Sequence, residues 1–327
     1  NNYRWNSMKL IRLLSILLFF IPVFLYSQKT KENVDPVMKY NSGLELYRNG
    51  MYASSEKIFM EVYEDDRSSY EMKVMSRYYI GLCSYELGNK DAEDLLKCFI
   101  EEYSGHSLVN NVYFTLGKLS YNNKQYAKAI EWFNKIEDAV LVLSDDDIEE
   151  YYFKLGYSYF MTNNYKESKK MLFQIKDGSS RYSSHAKYFY AHINYLEKNY
   201  DLALNDLISL TKDEDYSGIV PYYICHIYYK QEKYDMLIDY APTLLDSTNT
   251  KRVNEISKLL GESYYRTGQY NMSLPYLRYY IYHPNSKVLR EDIYQYGMSS
   301  YLVGEYDSAI KYFSMAVSGE DSISQLL

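Results

Sequence analysis

Apolar positions in this chain recur with a helical period, and the helices they predict recur with a longer one. Residues three and four apart, as in Tyr151, Tyr152, Leu155 and Tyr159, mark an amphipathic helix. Such helices centre on a small residue: Gly43, Gly81, Gly117, Gly156, Ala191, Cys225, Gly261 and Gly297, at spacings of 38, 36, 39, 35, 34, 36 and 36. The residue before each is usually apolar (Ile80, Leu116, Leu155, Tyr190, Ile224, Leu260, Tyr296), with Ser42 the exception. Four residues after each stand Tyr47, Tyr85, Tyr121, Phe160, Tyr195, Tyr229, Tyr265 and Tyr301. Nine after each stand Tyr52, Lys90, Tyr126, Tyr165, Tyr200, Tyr234, Tyr270 and Tyr306. Self-similarity at this period signals one supersecondary unit repeated along the chain. Each unit predicts a helix A, a short turn such as Leu87-Gly88-Asn89 or Thr267-Gly268-Gln269, and a helix B. Helix B carries a small residue and a bulky one four later, as in Ala129/Phe133, Ala203/Leu207 and Ala309/Phe313. Small residues let paired helices approach closely. Pro221 falls at the start of a helix A, where proline is tolerated.

These residues resemble the tetratricopeptide repeat (TPR). Its pattern matches best at Tyr113, Leu116, Gly117, Tyr126, Ala129 and Phe133, and nearly as well from Gly297 through Gly304, Tyr306, Ala309, Phe313 and Ala316. The second unit departs from it, with Lys90 for tyrosine and Ala92 one residue early; the sixth has Cys225 and Leu237 at small positions. Those two units are expected to pack less regularly. The resemblance implies an all-α fold, a right-handed α-solenoid of about eight helix-turn-helix units spanning 36–320. Residues 321–327 read as the start of a further unit in a longer repeat protein, and 28–35 as a linker.

Composition adds a compartment and an anomaly. From Met8 the chain carries Lys9 and Arg12, the apolar run Leu13–Leu25 and then Tyr26-Ser27-Gln28, the layout of a secretory signal peptide. The run is too short to span a bilayer comfortably, so residues 1–27 read as upstream sequence plus a cleaved export signal; membrane contact is expected only if the segment stays uncleaved. Signal and loose spacing together resemble exported TPR proteins of the Gram-negative periplasm. A net charge of −7 argues against a nucleic-acid partner. Cys83, Cys98 and Cys225 form no CxxC and read as small buried side chains. The acidic clusters 64–66, 145–147 and 213–215 fall just before A helices, where they complement the helix dipole. The anomaly is tyrosine, 43 of 327 residues.

No nucleotide, zinc-protease, serine-hydrolase or dithiol motif is present, so neither catalysis nor a cofactor is expected. His185 and His192 lie seven apart on one helix, about 10 Å at 1.5 Å per residue, too far to share a metal ion. At 100° per residue the positions −3 and +4 from the small residue point within 20° of each other. With the +1 position they predict a ladder of rings that, by resemblance, lines a concave groove. The expected partner-binding residues are Tyr40, Tyr47, Tyr78, Tyr85, Phe114, Tyr121, Tyr157, Tyr188, His192, Tyr195, Tyr222, His226, Tyr229, Tyr265, Tyr294 and Tyr301. Tyrosine gives rigid amphipathic contact area at low entropic cost. The −1 and +3 columns are expected to be core, and the +9 tyrosines to lock the turns. These features point to a non-catalytic scaffold that binds a protein or peptide of the cell envelope, with no small-molecule substrate. Two alternatives share the pattern: the sensory ectodomain of a membrane signalling protein, and the solenoid of a peptidoglycan-cleaving enzyme.

Overall fold

The computed structural model describes residues 35–136, 139 and 143–318. The export segment, nearly all of the linker and the tail 321–327 lie outside the described residues. Seventeen helices and no strand occur among the described residues. The chain divides into two compact units, residues 1–119 and 120–327. The first holds α1 (Pro36–Arg48), α2 (Tyr52–Glu64), α3 (Tyr70–Leu87), α4 (Ala92–Glu102) and most of α5 (Val109–Asn122). The second continues with α6 (Tyr126–Phe133), α7 (Asp145–Met161), α8 (Tyr165–Phe173), α9 (Ser183–Leu196), α10 (Tyr200–Ser209), α11 (Val220–Lys230), α12 (Tyr234–Tyr240) and α13 (Pro242–Leu245). It closes with α14 (Val253–Arg266), α15 (Tyr270–Tyr282), α16 (Arg290–Leu302) and α17 (Tyr306–Ser318). No described helix is long and apolar enough to cross a membrane.

The A–B turn is the same in all eight hairpins. Its pivot, seven residues after the small residue, has a left-handed backbone: Gly50, Gly88, Lys124, Asn163, Lys198, Glu232, Gly268 and Gly304. The next N–H reaches back to the +3 carbonyl at 2.8–3.0 Å, and the pivot N–H to the +4 carbonyl at 2.9–3.1 Å. This pair of bonds satisfies carbonyls that a helix C-terminus otherwise orphans. In seven hairpins helix B then begins at the +9 tyrosine. In the second it begins at Ala92, after a turn in which the Ser84 hydroxyl donates to Asp91 at 2.7 Å.

Helix pairing follows from the small residue. A Cβ on Gly261 would lie 2.8 Å from Leu277 Cδ2, and one on Gly156 would lie 2.9 Å from Leu172 Cδ2. The bulky residue of helix B therefore occupies the space a side chain would need. The hydroxyls of Ser55, Ser168 and Ser273, twelve after the glycine, donate to the carbonyls of Gly43, Gly156 and Gly261 at 2.9, 2.7 and 2.7 Å. The −1 column is core as expected: Ile80, Leu116, Leu155, Ile224, Leu260 and Tyr296 are buried. Ser144 caps α7 by accepting from the Asp147 N–H at 3.3 Å, and Asp145–Asp147 form its acidic first turn. Cys83 and Cys225 are buried free thiols, whereas Cys98 is exposed, contrary to its expected burial; it lies on the solvent side of the amphipathic α4.

Candidate binding face

In the first unit the expected ladder is largely internal. Tyr78 is buried against Phe99, with ring centroids 5.8 Å apart, and Phe114 is buried beneath the Lys118 ammonium at 4.5 Å. Tyr40 is half-buried and packs edge-on to Phe59 at 5.8 Å. Tyr47 meets Tyr52 of its own turn at 5.3 Å and Tyr79 of the next A helix at 5.0 Å. Tyr85 is half-buried, with the Lys118 ammonium 5.7 Å from its ring.

The second unit shows why the −3 column is not an open surface. The link that leads into the next A helix folds across it. Tyr182 stacks on Phe153 at 5.2 Å, Tyr216 stacks on Tyr188 at 4.2 Å, and the Arg252 guanidinium lies 3.6 Å over Tyr222. Phe153 and Tyr222 are consequently buried. In the seventh hairpin the −3 residue is Lys258, which pairs with Asp292 at 2.5 Å. The periodicity gives an angle around one helix, but it does not show what the link crosses. The −3 rings Tyr78, Phe114 and Tyr222 are thus packing residues, not the open groove lining expected of them, and Phe153, outside the expected set, is buried likewise.

The +4 column has two roles. Its ring pairs with the +9 tyrosine in seven hairpins, at centroid distances between 5.3 and 6.2 Å: Tyr47–Tyr52, Tyr121–Tyr126, Phe160–Tyr165, Tyr195–Tyr200, Tyr229–Tyr234, Tyr265–Tyr270 and Tyr301–Tyr306. Such pairs contribute about 0.5–1.5 kcal/mol beyond area burial, so the +4 ring braces the turn as much as the +9 ring does. Its other edge receives the −2 residue of the next A helix: Phe189 on Phe160 at 5.1 Å, Tyr223 on Tyr195 at 5.1 Å, and the Lys154 ammonium 4.9 Å from Tyr121. The −2 aromatics Tyr79, Phe189 and Tyr223 were absent from the expected set, as were the link residues Tyr182, Tyr216 and Arg252. A −2 column read in the same register holds three aromatics and was a usable signal; the link residues have no fixed register.

The centre of the second unit gathers the densest cluster. Tyr157 meets Tyr121 at 5.7 Å and Phe189 at 4.8 Å. His192 is ringed by Phe160 (5.8 Å), Tyr188 (5.9 Å), Tyr195 (6.0 Å) and Tyr223 (5.2 Å), and its Nδ1 is buried with no hydrogen-bond partner among the described residues. His226 Nδ1 lies 3.1 Å from the Tyr195 hydroxyl, and His185 Nδ1 lies 2.7 Å from that of Tyr216. Burial, reinforced by Lys230 and Arg252, pulls the His226 pKa down to about 4, and burial lowers that of His192. Both rings are neutral near pH 7. Burial likewise pushes the Tyr195 phenol up to about 12. No group of three or more metal-ligating side chains occurs among the described residues. Tyr229 and Tyr265 are half-buried farther along, while Tyr294 and Tyr301 are 51% and 52% exposed. The half-exposed face is therefore built from the +1, +4 and −2 columns: Tyr157, Phe189, His192, Tyr195, Tyr223 and His226.

No family model matches the chain, and no curated protein matches it. Solved structures do. The apo form of RapI is 16% identical, with a TM-score of 0.48, covering 86% of each chain. The C-terminal part of a TPR repeat-containing protein from Cytophaga hutchinsonii is 14% identical, with a TM-score of 0.45, covering 88% of this chain and 97% of that one. A tetratricopeptide repeat protein from Parabacteroides merdae is 10% identical, with a TM-score of 0.44, covering 86% and 98%. The hairpins of this chain are TPR-like on their own geometry: all eight turn on a left-handed pivot, and in seven an aromatic pair braces the turn.

Proposed function

We propose that this protein is a non-catalytic scaffold of the cell envelope that holds a partner protein or peptide on the aromatic face of its second unit. The observation that supports this reading is the run of half-exposed rings from consecutive A helices, Tyr157, Phe189, His192 and Tyr223, in mutual contact at 4.8–5.2 Å where Tyr157 meets Phe189 and His192 meets Tyr223. Rigid, half-desolvated aromatics of this kind are the side chains that carry binding energy at protein interfaces. The envelope location rests on the Met8–Gln28 segment. N-terminal sequencing of the protein recovered from an envelope fraction is expected to begin at Gln28; a cytoplasmic product that retains Met8 counts against export.

The binding reading is tested with Tyr157→Ser and Tyr223→Ser, compared with Tyr78→Leu. Crosslinking followed by affinity recovery should lose the same partner in both serine variants. Tyr78→Leu should retain that partner, because its ring is internal to the first unit. Equal recovery by all three would sink the face as the binding surface.

A further inference from the structure

A hollow of about 830 Å³ in the second unit is lined by none of the aromatic-face residues. One stripe of α15 lines it (Asn271, Leu274, Pro275, Arg278), together with Tyr296 of α16 and Glu305 in the turn before α17. Four features converge there. Pro275 sits inside α15 and has no N–H to give the Asn271 carbonyl four residues earlier, so that acceptor lacks its intrahelical donor. Pro275 itself borders the hollow. The Arg278 guanidinium makes no ion pair or hydrogen bond among the described residues, and neither does the Glu305 carboxylate. The two line one hollow with Tyr296 and do not pair with each other. Tyr282 also lines the hollow, and its hydroxyl lies 2.6 Å from that of Tyr312; one donates to the other, which leaves one O–H proton to spare.

A cavity that holds a separated cation and anion, an extra carbonyl acceptor and an apolar floor is complementary to a ligand with both charges and an apolar body. We propose that this hollow binds an apolar α-amino acid as its zwitterion. The carboxylate sits on Arg278, the ammonium on Glu305 and the Asn271 carbonyl, and the side chain on Leu274, Pro275 and Tyr296. The ligand is a small molecule of a kind the export signal, repeat pattern and motif search did not suggest, and its site is independent of the proposed binding face.

The test is calorimetric titration of the full chain with L-leucine, N-acetyl-L-leucine and L-leucinamide. L-Leucine should bind, and each blocked derivative should bind about tenfold more weakly, the effect of losing one charge-assisted contact. Arg278→Met should abolish the preference for leucine over leucinamide while the preference over N-acetyl-leucine remains. Glu305→Gln should do the reverse. Both residues are exposed, and circular dichroism should confirm that both variants fold. No binding of L-leucine at millimolar concentration overturns the proposal. So does equal binding of the blocked derivatives, or a preference that neither variant alters.

Discussion

The hairpin α14–α15 and the one before it, α11 with α12 and α13, solve one packing problem in opposite ways. In α14–α15 the A helix brings Gly261, and helix B brings a small residue, Ser273, followed one turn later by the bulky Leu277. Leu277 fills the space over the glycine. In the preceding hairpin the A helix brings Cys225, and helix B reverses the order, with Leu237 first and Ala241 one turn later. All three are fully buried in one cluster. The larger residue on the A helix thus shares its cluster with a smaller one at the place of the regular leucine, and the leucine has moved by one helical turn. Helix B then breaks: α12 stops at Tyr240 and Pro242 begins α13. Combined volume at the contact is what the repeat preserves, as expected of an interior packed without voids.

The strongest way to break this comparison is to move one arrangement into the other. Leu277→Ala should cost about 3 kcal/mol through lost burial and the cavity left behind. Gly261→Cys should cost about 2 kcal/mol, because its Cβ would meet Leu277 Cδ2 at 2.8 Å and the Leu277 backbone N at 3.0 Å. The double variant reproduces the Cys225/Ala241 pairing, so its cost should fall below the sum by at least about 1 kcal/mol. Urea denaturation of the four proteins measures this; strict additivity would show that the two positions do not compensate.

A smaller effect tests the hydrogen bond that accompanies only the regular order. Ser273 donates to the Gly261 carbonyl at 2.7 Å, and Leu237 has no such group. Ser273→Ala should cost about 1 kcal/mol, the usual net worth of a buried hydrogen bond. Unchanged urea stability would make the hydroxyl a passenger.

Much of this was legible in sequence because it depends on spacing within one hairpin. The small residue, the +9 start of helix B, the shifted Ala92 and the irregular sixth unit all follow from local register. The face was less legible because it depends on what lies between hairpins. Tyr182, Tyr216 and Arg252 sit in links of different lengths and cover Phe153, Tyr188 and Tyr222 in turn. The tyrosine excess accordingly keeps its expected turn-locking share in the +9 column, while the share open to a partner is smaller than expected. Most −3 rings are packing residues, the +4 and +9 rings brace each other, and only part of the ladder is left for a partner.

The turns of the same two hairpins share one backbone and differ in the residue at the pivot. Gly268 pivots α14 into α15 at φ 76°, whereas Glu232 holds the equivalent pivot at φ 56°. A side chain in this region is penalised by about 1–2 kcal/mol, offset in part by the lower unfolded-state entropy of a non-glycine residue. Glu232→Gly should therefore stabilise by about 0.5 kcal/mol, and Gly268→Ala should destabilise by about 1 kcal/mol. Matched thermal melts would expose a shared sign, which would contradict the left-handed pivot.

The smallest effect separates the A helices of the two hairpins at their +1 positions, His226 in α11 and Glu262 in α14. Burial, with Lys230 and Arg252, depresses the folded-state pKa of His226 from an ordinary 6.5 to about 4. The unfolded chain therefore takes up a proton at a higher pH than the folded chain does. His226 contributes its full stability above about pH 6.5, and that contribution is lost as pH falls toward 4. The ring is half-exposed and screened by water, so the loss should amount to a few tenths of a kcal/mol. His226→Gln retains a polar partner for the Tyr195 hydroxyl but cannot titrate. Between pH 7.5 and 4.5 its melting temperature should fall slightly less than that of the parent protein. A larger fall in the variant would place the proton-sensitive group elsewhere in the cluster, with His192 and its unpartnered Nδ1 next to be replaced.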